Sequence, residues 1–229
     1  MKAKELAKEA IALDPNYAFP YATLANAHML DVWFKFSASS EESMKLAAQA
    51  VQKALALDDS DPRVYHALGN LYIMQRQYEK AIAAAERQIE LSPSGVIAYQ
   101  SMSAALSWSD RFSEAIPFAE QAIRLDPYPS AVTFRRLGSA YRGAGRYEEA
   151  ITAYKKALQK NPDGIFTHID LAITYVKLGR YEEARAEAKE VIRIHPKFSI
   201  AQYTKGEHIK DLPGMDEYIE NLRKAGLPD

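Results

Sequence analysis

Cysteine is absent from all 229 residues. That excludes disulfide staples, thiolate nucleophiles, cysteine-based metal sites and a lipid-modified cysteine. It fits a cytoplasmic setting. No uninterrupted apolar run approaches the roughly 18 residues that a membrane span requires. The start, Met1-Lys2-Ala3-Lys4-Glu5-Leu6, has no apolar signal core and runs straight into a charged amphipathic pattern. A dominant charge is missing too. With 29 basic and 30 acidic residues the net charge is −1, and no basic stripe stands out that would hold a nucleic acid against salt. Neither nucleic acid nor a membrane interior is an expected partner.

Recognisable reaction chemistry is equally scarce. The histidines are His28, His66, His168, His195 and His208, and no two stand at the i, i+4 spacing that presents a metal-binding pair on one helix face. Gly138-x-x-x-x-Gly143 continues as Ala144-Gly145, without the Lys-Ser/Thr that a phosphate loop needs. Asp58-Asp59-x-Asp61 runs into Pro62-Arg63 where a calcium loop needs further ligands and a glycine, so Asp61 is read as the cap of a helix starting at Pro62. Glu148-Glu149 and Glu182-Glu183 are adjacent helical residues about 100° apart and cannot face one substrate. No catalytic, cofactor or metal residue is expected, and the segment is read as non-catalytic.

What the chain does have is self-similarity. Stretches beginning at Pro62, Val96, Ala131, Ile165 and Ser199 overlay at a spacing of 34 or 35 residues. The seventh slot holds Leu68, Met102, Leu137 and Leu171; the eighth holds Gly69, Ser103, Gly138 and Ala172. Ala81, Ala115, Ala150 and Ala184 fill the twentieth, and Pro93, Pro127, Pro162 and Pro196 the thirty-second. Such a period signals units that bury their apolar faces only against neighbours. Within each unit two helical stripes flank a breaker: Phe134, Leu137, Gly138 and Tyr141, then Gly143-Ala144-Gly145, then Ala150, Tyr154, Ala157 and Leu158. Gly145 suits the left-handed position that ends a helix. The chain thus divides into a partial unit 1–17, then units 18–61, 62–95, 96–130, 131–164 and 165–198, and a cap 199–229. In unit 18–61 the second stripe arrives about ten residues late, an insertion near 31–42 that carries Trp33, Phe34 and Phe36. These aromatics either fold back on the first units or offer an apolar patch to a partner.

The slot pattern resembles the tetratricopeptide repeat, through Leu137-Gly138-x-x-Tyr141, Gly145-Arg146-Tyr147-Glu148-Glu149-Ala150 and Asn161-Pro162. The resemblance implies an all-α fold, a right-handed superhelical solenoid of antiparallel helix pairs with a C-terminal capping helix. It also implies that slots two, five, nine, twelve and thirteen of each first helix line a concave groove that takes a protein or peptide. Those slots include Phe19, Asn26, Arg63, His66, Asn70, Ile97, Gln100, Trp108, Val132, Arg135, Arg142, Phe166, Ile169, Ile173, Val176 and Lys177. Asn26 and Asn70 match the asparagines with which chaperone-binding members hold a peptide carboxylate, but the basic residues of that clamp are missing, with Ala22, Gln100 and Ala104 in their places. Arg135 and Arg142 are two turns apart on one helix face and suit an acidic peptide. A narrower likeness covers Leu178-Gly179-Arg180-x-Glu182-Glu183-Ala184-Arg185-Ala186, Pro196-Lys197-Phe198-Ser199-Ile200, Lys210-Asp211 and Leu222-Arg223-Lys224-Ala225-Gly226-Leu227-Pro228. These resemble the tail of bacterial class III adenylate/guanylate cyclases, which implies a regulatory module whose catalytic domain lies outside this segment. A free-standing adaptor for chaperone or client peptides is the competing expectation, and two copies pairing through an exposed end or the groove is a further one.

Overall fold

Apolar residues at three- and four-residue spacing make each half-unit a helix, and each breaker turns the chain back. In the computed structural model, which describes residues 2–33, 36, 39–204 and 214–229, the described residues form thirteen helices and no strand. They are α1 (Lys2–Leu13), α2 (Ala18–Trp33), α3 (Ser40–Leu57), α4 (Pro62–Met74), α5 (Tyr78–Leu91), α6 (Val96–Trp108) and α7 (Phe112–Leu125). Then follow α8 (Ala131–Gly143), α9 (Tyr147–Lys160), α10 (Ile165–Lys177), α11 (Tyr181–Ile194), α12 (Ile200–Tyr203) and α13 (Met215–Lys224).

The chain separates into two compact units, residues 1–111 and 112–229, with the division falling between α6 and α7, inside the repeat read as 96–130. In the first, α2 packs with α3, α4 with α5, and the first helices α2, α4 and α6 lie side by side. Its core is largely alanine, including Ala18, Ala22, Ala25, Ala47, Ala54 and Ala67, around Met29, Val51, Val64 and Leu71. Small side chains bring helix axes close together. In the second unit α8 pairs with α9 and α10 with α11, and α13 returns to lie on α10.

The short turns that follow α4, α6, α8 and α10 each need one residue in the left-handed region. Gly145 (φ 74°) and Gly179 (φ 72°) supply it in the second unit, whereas Arg76 (φ 57°) and Asp110 (φ 59°) do so in the first. Asp61 caps α4 by accepting from the Arg63 amide at 2.8 Å, as its place before Pro62 implies. The fourth slot ties successive hairpins together. Tyr21 and Tyr99 donate to the carbonyls of Pro15 and Pro93, at 3.1 and 2.9 Å, and His168 Nε2 donates to that of Pro162 at 2.9 Å.

The surplus residues near 31–42 mostly lengthen helices. α2 has 16 residues and α3 has 18, against 13 and 14 in α4 and α5. Phe34, Lys210, Asp211, Leu212 and Pro213 lie outside the described residues.

Candidate functional site

On the first helices of residues 1–111, four polar side chains join into one directed chain. Ser101 Oγ donates to the Ile97 carbonyl at 2.9 Å, so its oxygen accepts from His66 Nδ1, also at 2.9 Å. His66 Nε2 is then the acceptor for Asn70 Nδ2 at 3.2 Å, and the same amide donates to Asn26 Oδ1 at 3.0 Å. The geometry fixes His66 as a neutral Nδ1–H tautomer and binds α2, α4 and α6 through polar atoms. It engages Asn26 through its oxygen and Asn70 through its nitrogen. The row uses neither the donor Nδ2 of Asn26 nor the acceptor Oδ1 of Asn70, and both side chains are half-buried on neighbouring helices.

Apolar and cationic groups border this row. Arg63 lies 4.0 Å over the Phe19 ring and is held by Asp61 at 2.6 Å, a partner that pushes its pKa up. Ile97 and Leu30 are more than half exposed. Gln100 is half-buried beside the row. Trp33, at the end of α2, meets Trp108, at the end of α6, edge to face with centroids 5.7 Å apart. Trp33 has therefore folded back, while Phe36 stays 78% exposed. Trp108 also lines an open cleft of about 540 Å³ with Arg76, Gln77, Tyr78, Glu79, Lys80, Ser109 and Asp110, whose charges are balanced.

Residues 112–229 treat the equivalent slots differently. Arg135 and Arg142 both turn to Asp170, at 3.1 and 3.6 Å, and the Asp170 side chain is only 9% exposed. Arg142 Nε also donates to the Tyr154 hydroxyl at 3.3 Å, which donates onward to Ser139 at 3.3 Å. Burial, with the charge of Asp170 added, pushes the Tyr154 phenol up to about 12, so it stays a neutral link in this network. Lys177 pairs with Glu217 of α13. The three basic residues read as partner-binding candidates thus already have acidic partners within the chain. Asp170 and Glu217 carried no weight in the slot pattern. The signal that was available is the apolar character of Ile169, Ile173 and Val176, where other units place His66, Asn70, Arg135 or Arg142.

The Glu pairs behave as helix-start charges. Arg146 meets Glu149 and Arg180 meets Glu183, each at 2.8 Å, and both carboxyls are held below their usual range by those bonds. Among the described residues no three histidine or carboxylate side chains gather as a metal site, and no helix is long and apolar enough to cross a membrane.

Family models described as tetratricopeptide repeat match residues 50–83, 109–165 and 141–206. The TPR repeat-containing protein YpiA of Bacillus subtilis is 30% identical over 184 residues, 79% of this chain and 40% of that protein. The chain spans two fifths or less of the first curated relatives it matches. Among solved structures, the APC/C hetero-tetramer Cut9–Hcn1 matches with a TM-score of 0.73 and 18% identity, over 92% of this chain and 39% of that one. YrrB, described as a TPR protein with an unusual peptide-binding site, matches at 0.56 and 22%, over 89% and 99%. At these identities the two structures speak for the fold.

Proposed function

Because the chain belongs to the tetratricopeptide-repeat family, we propose that it is an interaction module holding an extended peptide of a partner protein on the inner face of α2, α4 and α6. Stacked repeats of this kind offer long concave surfaces to partners. One observation carries the reading: Asn26 Nδ2 and Asn70 Oδ1, a donor and an acceptor on adjacent helices, are left over by the hydrogen-bonded row. One peptide group carries a matching acceptor and donor, so the pair suits a ligand's backbone whatever its sequence. Exposed Ile97 and the Phe19–Arg63 stack then favour particular side chains on either side.

Selection of peptides on the immobilised full chain, followed by titration calorimetry, tests this. Asn70→Ala is expected to weaken the selected peptide at least tenfold while the far-ultraviolet circular dichroism stays unchanged. Equal affinity of wild type and variant would place the contact elsewhere. Arg135→Ala with Arg142→Ala is the poorer probe, since it strands the Asp170 carboxylate in a buried position.

The finer reading is a cytoplasmic regulatory module of a signalling protein such as a bacterial nucleotide cyclase, supported by residues 178–186, 196–200 and 222–228. An open reading frame continuous with Met1 that encodes a cyclase domain is the expected result of sequencing upstream. An adaptor that captures chaperone or client tails would instead require a free C-terminal carboxylate. Binding that survives amidation of the peptide's end rules the adaptor out.

A further inference from the structure

The inner face of α10 is already covered. Thr167 to Val176 are buried without a break, ten residues that include the inner-face slots Ile169, Ile173 and Val176. Among the described residues, none of α2, α4, α6 and α8 is enclosed on every side in this way. The cover is α13. Its Leu222 is fully buried in one cluster with Ile169, Ile173, Val191, Phe198 and Ile200. Tyr218 stacks on Tyr203 with centroids 6.4 Å apart and hydroxyls 3.2 Å apart, and Glu217 pairs with Lys177.

Leu222 and Ala225 are fully buried and the Pro228 carbonyl accepts from the Ile200 amide at 2.8 Å, yet two features set this cover apart from the hairpins it lies on. α13 is ten residues long and is preceded by Gly214, which gives it no side-chain cap, and it is too short to be a stable helix away from a docking surface. Next to it lies the polar network of Asp170, Arg135, Arg142 and Tyr154, with Asp170 and Arg142 near enough to act on the Tyr218 hydroxyl. Opening such a segment takes less free energy than unfolding the hairpins beneath it.

We propose that the α10 face is a receptor groove for an amphipathic helix, and that α13 is its resident occupant in the free protein. The external ligand is a partner helix that repeats the chemistry of α13: an acidic residue, a tyrosine next to it, and a leucine four positions further on, as in Glu217, Tyr218 and Leu222. The acid meets Lys177, the tyrosine meets Tyr203 and the leucine joins the buried cluster that includes Ile169 and Ile173. This face is separate from the Asn26–Asn70 row, so the two proposals stand or fall independently.

The probe is a fluorescein-labelled synthetic peptide of residues 214–229, followed by fluorescence anisotropy on the full chain. The double variant Tyr218→Ala, Leu222→Asp is expected to bind it at least tenfold more tightly than wild type, whose own helix competes at high effective concentration. A peptide carrying Leu222→Asp is expected not to bind, and Asn70→Ala in the protein is expected to change nothing. Hydrogen exchange on the wild type supplies a readout that needs no variant: amides of 215–224 are expected to exchange at least a hundredfold faster than those of α10 and α11. Equal protection of α13 and α10, or a double variant that loses the helical signal of the hairpins, would make α13 a structural cap and overturn the proposal. Absence of peptide binding to a folded double variant overturns it as well. A doubled mass for the wild type by light scattering, abolished by Leu222→Asp, would make a second copy the occupant in place of a partner helix and overturn it in that form.

Discussion

A β-carbon added to Gly138 would sit 2.6 Å from the Tyr154 ring, closer than real contacts allow, and Tyr154 is itself fully buried and bonded at its hydroxyl. Gly69 fills the same slot of an earlier unit, yet a β-carbon there meets nothing nearer than 3.8 Å. Opposite outcomes are expected in urea denaturation. Gly138→Ala costs about 1–3 kcal/mol through overpacking, and Gly69→Ala gains about 0.5–1 kcal/mol from helix propensity. The hairpin turns give a second contrast. Arg76 occupies the left-handed region that glycine fills at 145 and 179, so Arg76→Gly is expected to raise stability by up to about 1 kcal/mol as the strain is relieved. His168 supplies the pH dependence. Burial disfavours its charge, but the bonds to Glu187 at 2.6 Å and to the Pro162 carbonyl outweigh that and leave its pKa raised. A raised folded-state pKa means the imidazolium stabilises the fold fully below its ordinary value near 6.5, with the gain lost as pH rises through the folded value. The unfolding midpoint is expected to fall as pH is raised above that range. His168→Tyr, which restores the residue type found at Tyr21 and Tyr99, is expected to flatten that slope.

At the level of the elements, first helices differ by what their inner slots carry. α2, α4 and α6 share a polar row that links the three helices, and α8 turns its arginines onto the next helix. α10 has apolar inner slots and is enclosed. A helix that is apolar on several faces has to be covered by something, and α13 supplies the cover. Asp170 is the fixed point between α8 and α10: it receives Arg135 and Arg142, both of which keep partial exposure. Replacing Asp170 with asparagine leaves two guanidinium groups without their carboxylate. A loss of about 3 kcal/mol is expected, the lower end of what breaking a buried pair costs, because the arginines retain some water. Thermal unfolding followed by circular dichroism measures it, and a shift within error of wild type would mean the ion pair contributes nothing net.

For the whole molecule, near-neutrality is the governing quantity. A net charge of −1 from 59 charged side chains leaves no long-range field to attract polyanions. At a salt concentration of roughly 0.15 M the protein is expected to pass through a heparin column without retention, and a retained peak would reveal a basic surface that composition conceals. Stability in such arrays comes from each hairpin and its neighbours, so substitutions are expected to act within their own unit. Residues 1–111 and 112–229 each have a separate core and a distinct use of the inner slots.

Local physics made the helix pairs, their turns and their order legible in the sequence. Apolar spacing, Gly145 and Gly179 at the turns, Asp61 before Pro62 and the recurring prolines all act within a few residues of where they stand. The same slot pattern placed Asn26 and Asn70 on one face, and the fold joined them at 3.0 Å. Which inner-face residues already have partners was decided only in three dimensions. Arg135 meets Asp170 across 35 positions and Lys177 meets Glu217 across 40. A periodic pattern describes what each repeat offers to its neighbours, and it is silent about a distant segment that returns to fill a face the repeats leave open.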